Sequence, residues 1–373
     1  MHNPHAQHEQ EESSAGSARE DEVTTNDLFS KKFSGLSAIQ AQYLASSVFG
    51  IDGQASILTS ERDQNFKIST DQGRDFVLKA THPSEDPGVT DFQTRAQLHI
   101  MNNGPDVPVP RLRLTLDGEY VYRRNIPGSE QSQAIRIIDF ISGSPLSRVQ
   151  RSNRLLESIG AALAHLNIAL KGFNHPQMNH KLLWDIQHLK ELSALTGYID
   201  DNEKRERVSG GLKRYGAETE PALKQLPKQV IHNDMNPFNI MVDDESATRL
   251  TAILDLGDMV SAPRVQDLAV LCAYLLSEDD NVLSHAVECI KAYHAVSPLT
   301  RSEIHLLPNL IEARLLATVL ITEWRAREHP ENSEYILRNN PSAWTGLQRL
   351  EAFGLGPAQT FIVEKIREAG RVV

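Results

Sequence analysis

Cysteine is nearly missing from this chain: 373 residues contain two, Cys272 and Cys289, both inside apolar, helix-patterned stretches. That argues against a disulfide scaffold or a thiolate metal site and suits buried thiols in a reducing cytoplasm. No apolar run approaches the roughly 20 residues of a membrane span. No apolar core of a secretory signal stands near the start. Basic residues are outnumbered, 38 Lys plus Arg against 49 Asp plus Glu, giving a formal charge of −11. A surface of that sign repels nucleic acid and anionic lipid, so neither is expected as a partner, and a small cationic substrate is favoured. A glycine-rich phosphate loop is also missing.

What is present divides the chain into a tail and two lobes. Residues 1–27, rich in His, Glu, Ser and Gln, read as a disordered tail. Its His2, His5 and His8 are either a metal-binding cluster or, more plainly, solvated side chains. The remaining length, with 40% hydrophobic residues overall, exceeds one simple core and predicts a small lobe over residues 28–141 and a larger one over 142–373.

The small lobe opens with a helical pattern from Asn26 to Ser47. Strands follow over Gln54–Thr59, Asn65–Ser69 and Asp75–Ala80, joined by short polar turns into an antiparallel meander. Val89–Met101 reads as a helix. Arg111–Thr115 and Glu119–Arg123 read as a hairpin about Asp117-Gly118, and Ala134–Ile141 as the last strand. Beyond Ser142 the pattern is mostly helical, with long apolar-faced helices over Arg154–Leu170, Val265–Leu276, Leu283–Ala295 and Arg301–Trp324. The fold class expected is α+β: a small antiparallel β-rich lobe followed by a larger, mostly helical one.

The chemistry concentrates in Ile231-His232-Asn233-Asp234-Met235-Asn236-Pro237-Phe238-Asn239-Ile240. Sixteen residues past Asn239 comes Asp255-Leu256-Gly257-Asp258. Phosphoryl transfer from a nucleotide needs a carboxylate to take or orient the acceptor hydroxyl's proton, and oxygen ligands that hold Mg²⁺ on the phosphates. His-x-Asp-x(4)-Asn followed by Asp-x-Gly supplies those groups in that order. Upstream, Lys79 ends the Phe-Val-Leu-Lys strand, where a lysine either snorkels to solvent or meets a nucleotide phosphate. Asp91, in the first turn of the next helix, is either a partner for Lys79 or an N-terminal charge favoured by the helix dipole. Backbone groups of Asp139, Phe140 and Ile141 stand where the lobes join and where a purine edge can dock.

These motifs resemble the catalytic signature of the aminoglycoside phosphotransferase and choline kinase superfamily, which has a protein-kinase-like fold. Within it the chain is most similar to the hydroxylysine kinase group and to the phosphotransferase domains fused to class III aminotransferases. The resemblance runs from about residue 30 to 355. It is carried by Ser60-Glu61-Arg62-Asp63-Gln64-Asn65-Phe66, Phe76-Val77-Leu78-Lys79, Phe173-x-His175-Pro176 with Trp184-Asp185, Leu254 to Val260, Ala326-Arg327-x-x-Pro330-x-Asn332, and Ala343-Trp344. It implies Asp234 as the catalytic base or hydroxyl-orienting carboxylate. Asn239 and Asp255 would be the Mg²⁺ ligands, Lys79 the contact to the α/β-phosphates, and Asp91 the acid that fixes Lys79. Ser60, Gln64 or backbone N–H groups would contact phosphate, and ATP or GTP would be the co-substrate. His232 and Asp267 would support the catalytic loop, although the plainer reading of His232 alone is a structural one, a satisfied core histidine.

Three departures from the family pattern stand out. Asn233 takes a position that is more often glycine, which asks an asparagine to adopt a left-handed backbone. Asp91 stands where the family has glutamate, one methylene shorter. And the phosphate loop has no glycines.

For the acceptor, the resemblance implies a small molecule with a hydroxyl and an amine, hydroxylysine first. An ammonium favours carboxylates and aromatic faces, and Asp258, Trp184 and Asp185 are available. Arg325 or Arg327 would meet an α-carboxylate. Each is also an ordinary solvated charge or core aromatic. Aminoglycosides, homoserine and choline are alternative acceptors on the same scaffold. A nucleotide-binding pseudokinase is the alternative from another class.

Overall fold

The computed structural model describes residues 35–60, 63–126, 131–277 and 281–370. The expected tail, the start of the first predicted helix, and Glu61 and Arg62 of the expected phosphate loop lie outside them.

Helix α1 (Ala38–Phe49) starts at a capping box. Ser37 accepts from Gln40 N at 3.2 Å, and the Gln40 side chain accepts from Ser37 N at 2.9 Å. Gly50, at φ +64°, closes it. The sheet that follows has β1 (Gln54–Leu58), β2 (Gln64–Ser69), β3 (Phe76–Ala80), β4 (Leu112–Arg113), β5 (Tyr122–Asn125) and β6 (Ser132–Asp139), all paired antiparallel in the order β1-β2-β3-β6-β4. The predicted meander is β1-β2-β3. The predicted β4–β5 hairpin does not form a ladder. The turn at Asp117-Gly118 exists, but both strands pair with the eight-residue β6, β5 along its first half and β4 along its second.

Strand alternation decides which side chains meet the core. Phe66, Ile68, Phe76, Leu78, Ala80, Ile135 and Ile137 pack with Ala41, Leu44, Ala45 and Phe49 of α1. Their neighbours Asn65, Val77, Lys79 and Ile138 face the other way, toward the cleft between the lobes.

Helix α2 (Pro87–Asn103) is capped by Asp86, which accepts from Gly88 N at 2.7 Å. By sequence it belongs to the small lobe. By packing it belongs to the large one, because Phe92, Ala96 and Ile100 join the large-lobe core. That core is built on α3 (Asn153–Ala169), α4 (Asn202–Arg214), α5 (Arg264–Ala273), α6 (Ser284–Val296), α7 (Arg301–Glu328), α8 (Asn340–Phe353) and α9 (Leu355–Glu368). Two small sheets cross it: β7 (Ser144–Pro145), β9 (Ile240–Val242) and β10 (Leu250–Ile253) in one, and β8 (Lys228–Ile231) with β11 (Val260–Pro263) in the other.

Both cysteines are buried and free, and burial pushes both thiols up. The expectation about apolar runs needs amending. Helix α7, at 28 residues with a window of mean hydropathy 1.5, is long and apolar enough to cross a membrane, yet 89% of that window is buried inside the protein.

Candidate active site

Buried β8 delivers His232, and β9 and β10 bracket the loop on its far side. The loop is tied down at every step. Asp267, fully buried at the start of α5, accepts from His232 N (3.1 Å) and Asn233 N (2.8 Å), and from Asn167 Nδ2 (2.8 Å). His232 bonds the Leu254 carbonyl through Nε2 (2.9 Å), while Nδ1 accepts from Asp234 N (3.2 Å). That pattern assigns the proton to Nε2 and ties the loop to the residue before Asp255. Asn233 has φ +64°, the left-handed region expected of it, and its Oδ1 accepts from Gln266 Nε2 at 3.0 Å.

Asp234 emerges with both carboxylate oxygens engaged. Oδ2 accepts from Asn236 Nδ2 and Asn239 Nδ2, each at 2.8 Å, and Oδ1 from Arg314 at 3.1 Å. Burial pushes this carboxyl above the ordinary range, while the Arg314 guanidinium and then His232 pull against it. Arg314 lies on α7 with 1% exposure and also bonds Tyr274 Oη and the Trp184 carbonyl, both at 3.1 Å, with Trp184 and Tyr274 rings against it.

Asn239 spends its amide nitrogen on Asp234 (Oδ2, and the carbonyl at 3.0 Å), which leaves Oδ1 as the atom it can offer a cation. Asp255 stands at φ +57°, held by an N–H bond from Gly257 (3.2 Å), with Lys79 Nζ 3.8 Å from its Oδ1. Two oxygen donors of this kind fit Mg²⁺, which takes one or two protein ligands and shares the rest with phosphates and water.

These groups line one cleft of about 580 Å³, within the size range of small-ligand sites. Leu58, Val77, Ile138, Met241 and Leu254 form an apolar slot, while Ser60, Asp63, Asn65, Lys79 and Asp255 cluster at its polar end. Asp139, Phe140 and Ile141 line it as expected. The Asp139 and Phe140 N–H groups already donate to Arg111 O (3.0 Å) and Asp75 O (3.1 Å). Among the described residues Ile141 is the one of the three whose N–H has no such bond. Trp184 and Asp258 also reach the cleft.

Four expected residues do something else. Gln64 shares the face of Phe66 and Ile68, and its side chain bonds the backbone of Leu36 (2.7 Å). The cleft-facing residues at that strand end are Asp63 and Asn65. Asp91 accepts from Arg95 (2.8 Å) and His175 (3.0 Å) and makes no pair with Lys79. Burial pushes its carboxyl up, but these two bonds outweigh it and hold it below the usual range. The residue of α2 that faces the site is Gln93, about 200° around the helix. Its amide donates to Gly257 O (3.2 Å) and accepts from buried Arg136 (3.3 Å). Asp185 is 3% exposed, caps the turn at Gln187, accepts from Gln266 (2.9 Å), and borders a separate depression. Arg327 lies over Tyr198 and pairs with Asp200 at 2.5 Å. Arg325, about 200° away on α7, lines the cleft instead.

Arg314, Asn236, Gln93 and Arg338 escaped the sequence reading. Only Arg314 had a signal, a lone arginine in the apolar run Leu306–Ile321. A buried charge of that kind is retained with a partner.

A small antiparallel lobe, a helical lobe and this loop between them define a protein-kinase-like fold built for phosphoryl transfer. The chain belongs to the phosphotransferase enzyme family, whose model matches residues 55–287. It is 26% identical to mouse (Mus musculus) hydroxylysine kinase over 337 residues, covering 84% of this chain and 89% of that one. It is 24% identical to homoserine kinase of Zymomonas mobilis subsp. mobilis over 269 residues, 70% of this chain and 78% of that one. Among solved structures, amicoumacin kinase hAmiN in complex with AMP-PNP, Ca²⁺ and Ami superposes with a TM-score of 0.58 at 14% identity, covering 77% of this chain and 87% of that one.

Proposed function

We propose that this phosphotransferase is a Mg²⁺-dependent kinase that moves the γ-phosphate of ATP or GTP to a hydroxyl of a small amine-bearing metabolite, hydroxylysine or a related amino alcohol. The observation that carries the reading is convergence. Asp234 and Asn239 from one loop, Asp255 from the next, and Lys79 from β3 are three separate stretches of chain that meet in one cleft with apolar lining beside them. The relatives named above as hydroxylysine and homoserine kinases support an acceptor that carries both groups.

In this reading Asp234 orients the acceptor hydroxyl and takes its proton as the phosphoryl group leaves the nucleotide. Lys79 neutralises charge on the phosphates, and Ser60 and Asn65 stand at the same end. Asn239 Oδ1 and Asp255 would hold Mg²⁺, which when bound screens the phosphate oxygens. The slot between Val77, Ile138 and Met241 takes the base, with Ile141 N–H available to its edge. Asp258 and the Trp184 ring are the groups offered to the ammonium. His232 and Asp267 keep the loop in shape and touch no substrate.

The test is an acceptor screen with simultaneous detection of ADP and GDP, covering hydroxylysine, homoserine, ethanolamine, choline and an aminoglycoside. Turnover with hydroxylysine or another small amino alcohol, lost in Asp234→Ala while Mg²⁺–nucleotide still raises the melting temperature, is the expected result. Nucleotide stabilisation without turnover on any acceptor would mean a nucleotide-binding protein without transfer. Turnover confined to the aminoglycoside would refute the acceptor class.

A further inference from the structure

The cleft is lined by charges of both signs: Asp234, Asp255 and Asp258 with Lys79 beside Asp255, and also Arg325 and the exposed Arg338. Arg338 sits on a short helical turn after α7. Its guanidinium lies 4.2 Å from the centroid of Phe238 and 4.1 Å from that of Tyr335. Phe238 belongs to the catalytic loop itself, four residues past Asp234, and is among the few large apolar side chains left exposed, at 38%. The two rings engage the guanidinium through its π-surface, which restrains the side chain without using its in-plane N–H groups. Among the described residues no carboxylate pairs with Arg338. Arg207, Arg214, Arg264, Arg314 and Arg327 of the same lobe are held differently, each by an acidic partner.

We propose that Arg338 is a specificity-determining residue that receives the α-carboxylate of the phosphate acceptor, so that the substrate is a hydroxy amino acid and not a plain amino alcohol. A guanidinium held by aromatic contacts presents two parallel N–H donors, the fork that matches a carboxylate. A cleft lined by both signs of charge then suits a zwitterion, with the ammonium toward Asp258, the carboxylate at Arg338, and the hydroxyl at Asp234. Arg325 adds a further positive charge to the same lining. The inference rests on the proposed transfer to a hydroxyl.

The experiment uses matched pairs that differ only by the carboxylate: 5-hydroxylysine with 1,5-diaminopentan-2-ol, and homoserine with 3-aminopropan-1-ol. The wild-type chain is expected to favour the acid of at least one pair by about 10²-fold in kcat/KM, a common size for a charge-assisted contact of about 3 kcal/mol. Arg338→Gln collapses that ratio toward one, mainly through KM of the acid, and Arg338→Lys recovers part of it. Equal losses on both members of a pair, a change confined to the nucleotide KM, or a wild-type preference for the amine alone overturns the inference. Calorimetric titration of the amino acids into protein with Mg²⁺–AMP-PNP separates the two claims. Binding that Arg338→Gln abolishes, with no turnover, keeps the carboxylate site and rejects the kinase reading. A wild-type chain that neither binds nor phosphorylates either acid rejects the site.

Discussion

On the large-lobe side of the cleft, Asp234 has three side-chain donors on its two oxygens and a backbone braced through His232 and Asp267. Across the cleft, Lys79 has Asp255 at 3.8 Å as its carboxylate neighbour, and the facing helix α2 presents Gln93 rather than an acid. One side is over-determined before any ligand arrives. The other is held by one long ion pair, and in the proposed reading a nucleoside triphosphate with its cation is what completes it. Preorganisation where charge shifts in the transition state costs no rearrangement at the moment of reaction. Changes to the two sides therefore differ in kind as well as in size.

The largest effect is expected at Asp234. On the proposed reading Asp234→Ala removes the carboxylate that takes the hydroxyl proton, and kcat falls by about 10³-fold or more, in line with positioned acid–base groups. The nucleotide Kd, read by titration, stays within a few-fold. A matching collapse in nucleotide affinity would show that Asp234 organises the phosphate end too, and the contrast between the two sides would fail. Next comes Lys79→Met, which removes one preorganised cation and costs about 10²-fold in kcat/KM for the nucleotide. Here most of the loss lies in nucleotide KM.

Arg314→Met sharpens the comparison from behind. Arg314 opposes the upward push of burial on Asp234. With the guanidinium gone, the largest opposition to burial is lost and the Asp234 pKa rises further. The reaction needs the carboxylate, so the acid limb of the kcat–pH profile moves to higher pH. Of the other groups around Asp234, His232 still pulls its pKa down, Asp255 pushes it up, and the two asparagine amides still favour the ionised form. Stability falls by about 3 kcal/mol, the low end for breaking a buried pair, since Asp234 keeps partial access to water. An unmoved acid limb in a folded variant would show that the amides, not the ion pair, hold the carboxylate.

How much of this was legible in the chain follows from where each signal lies. The catalytic loop and Asp255 are local motifs, and the strand alternation that brings Lys79 to the cleft is local too. Their convergence was readable. The errors are errors of phase. Reading Gln64 in place of Asn65 is a one-residue slip, and with a period of two it flips a side chain to the other face. Asp91 against Gln93 is a two-residue slip on a helix, which moves a side chain by about 200°, and the same rotation makes Arg325, of the two arginines offered, the one that lines the cleft. Arg314 touches Asp234 across 80 residues of sequence. Nothing local marks that contact beyond an arginine where an apolar helix ought to have none.

The smallest effect is expected at Asp91, and it tests the comparison most directly. If the acid of α2 held Lys79, Asp91→Asn would cost about as much as Lys79→Met. The carboxylate instead bridges Arg95 and His175, is 44% exposed, and joins the second turn of α2 to the segment after α3. Exposed pairs of this kind contribute about 0–1 kcal/mol, so Asp91→Asn should leave kcat and nucleotide KM within about twofold and lower Tm only slightly. The pair has its own pH signature. Because the folded-state pKa of Asp91 is lowered, its contribution to stability is present above the ordinary carboxylate range and is lost as pH falls through the folded-state value. The Tm difference between wild type and Asp91→Asn should therefore be largest near neutral pH and vanish in acid. A hundredfold loss of nucleotide affinity in this variant would restore the lysine–acid clamp and erase the distinction between the two sides of the cleft.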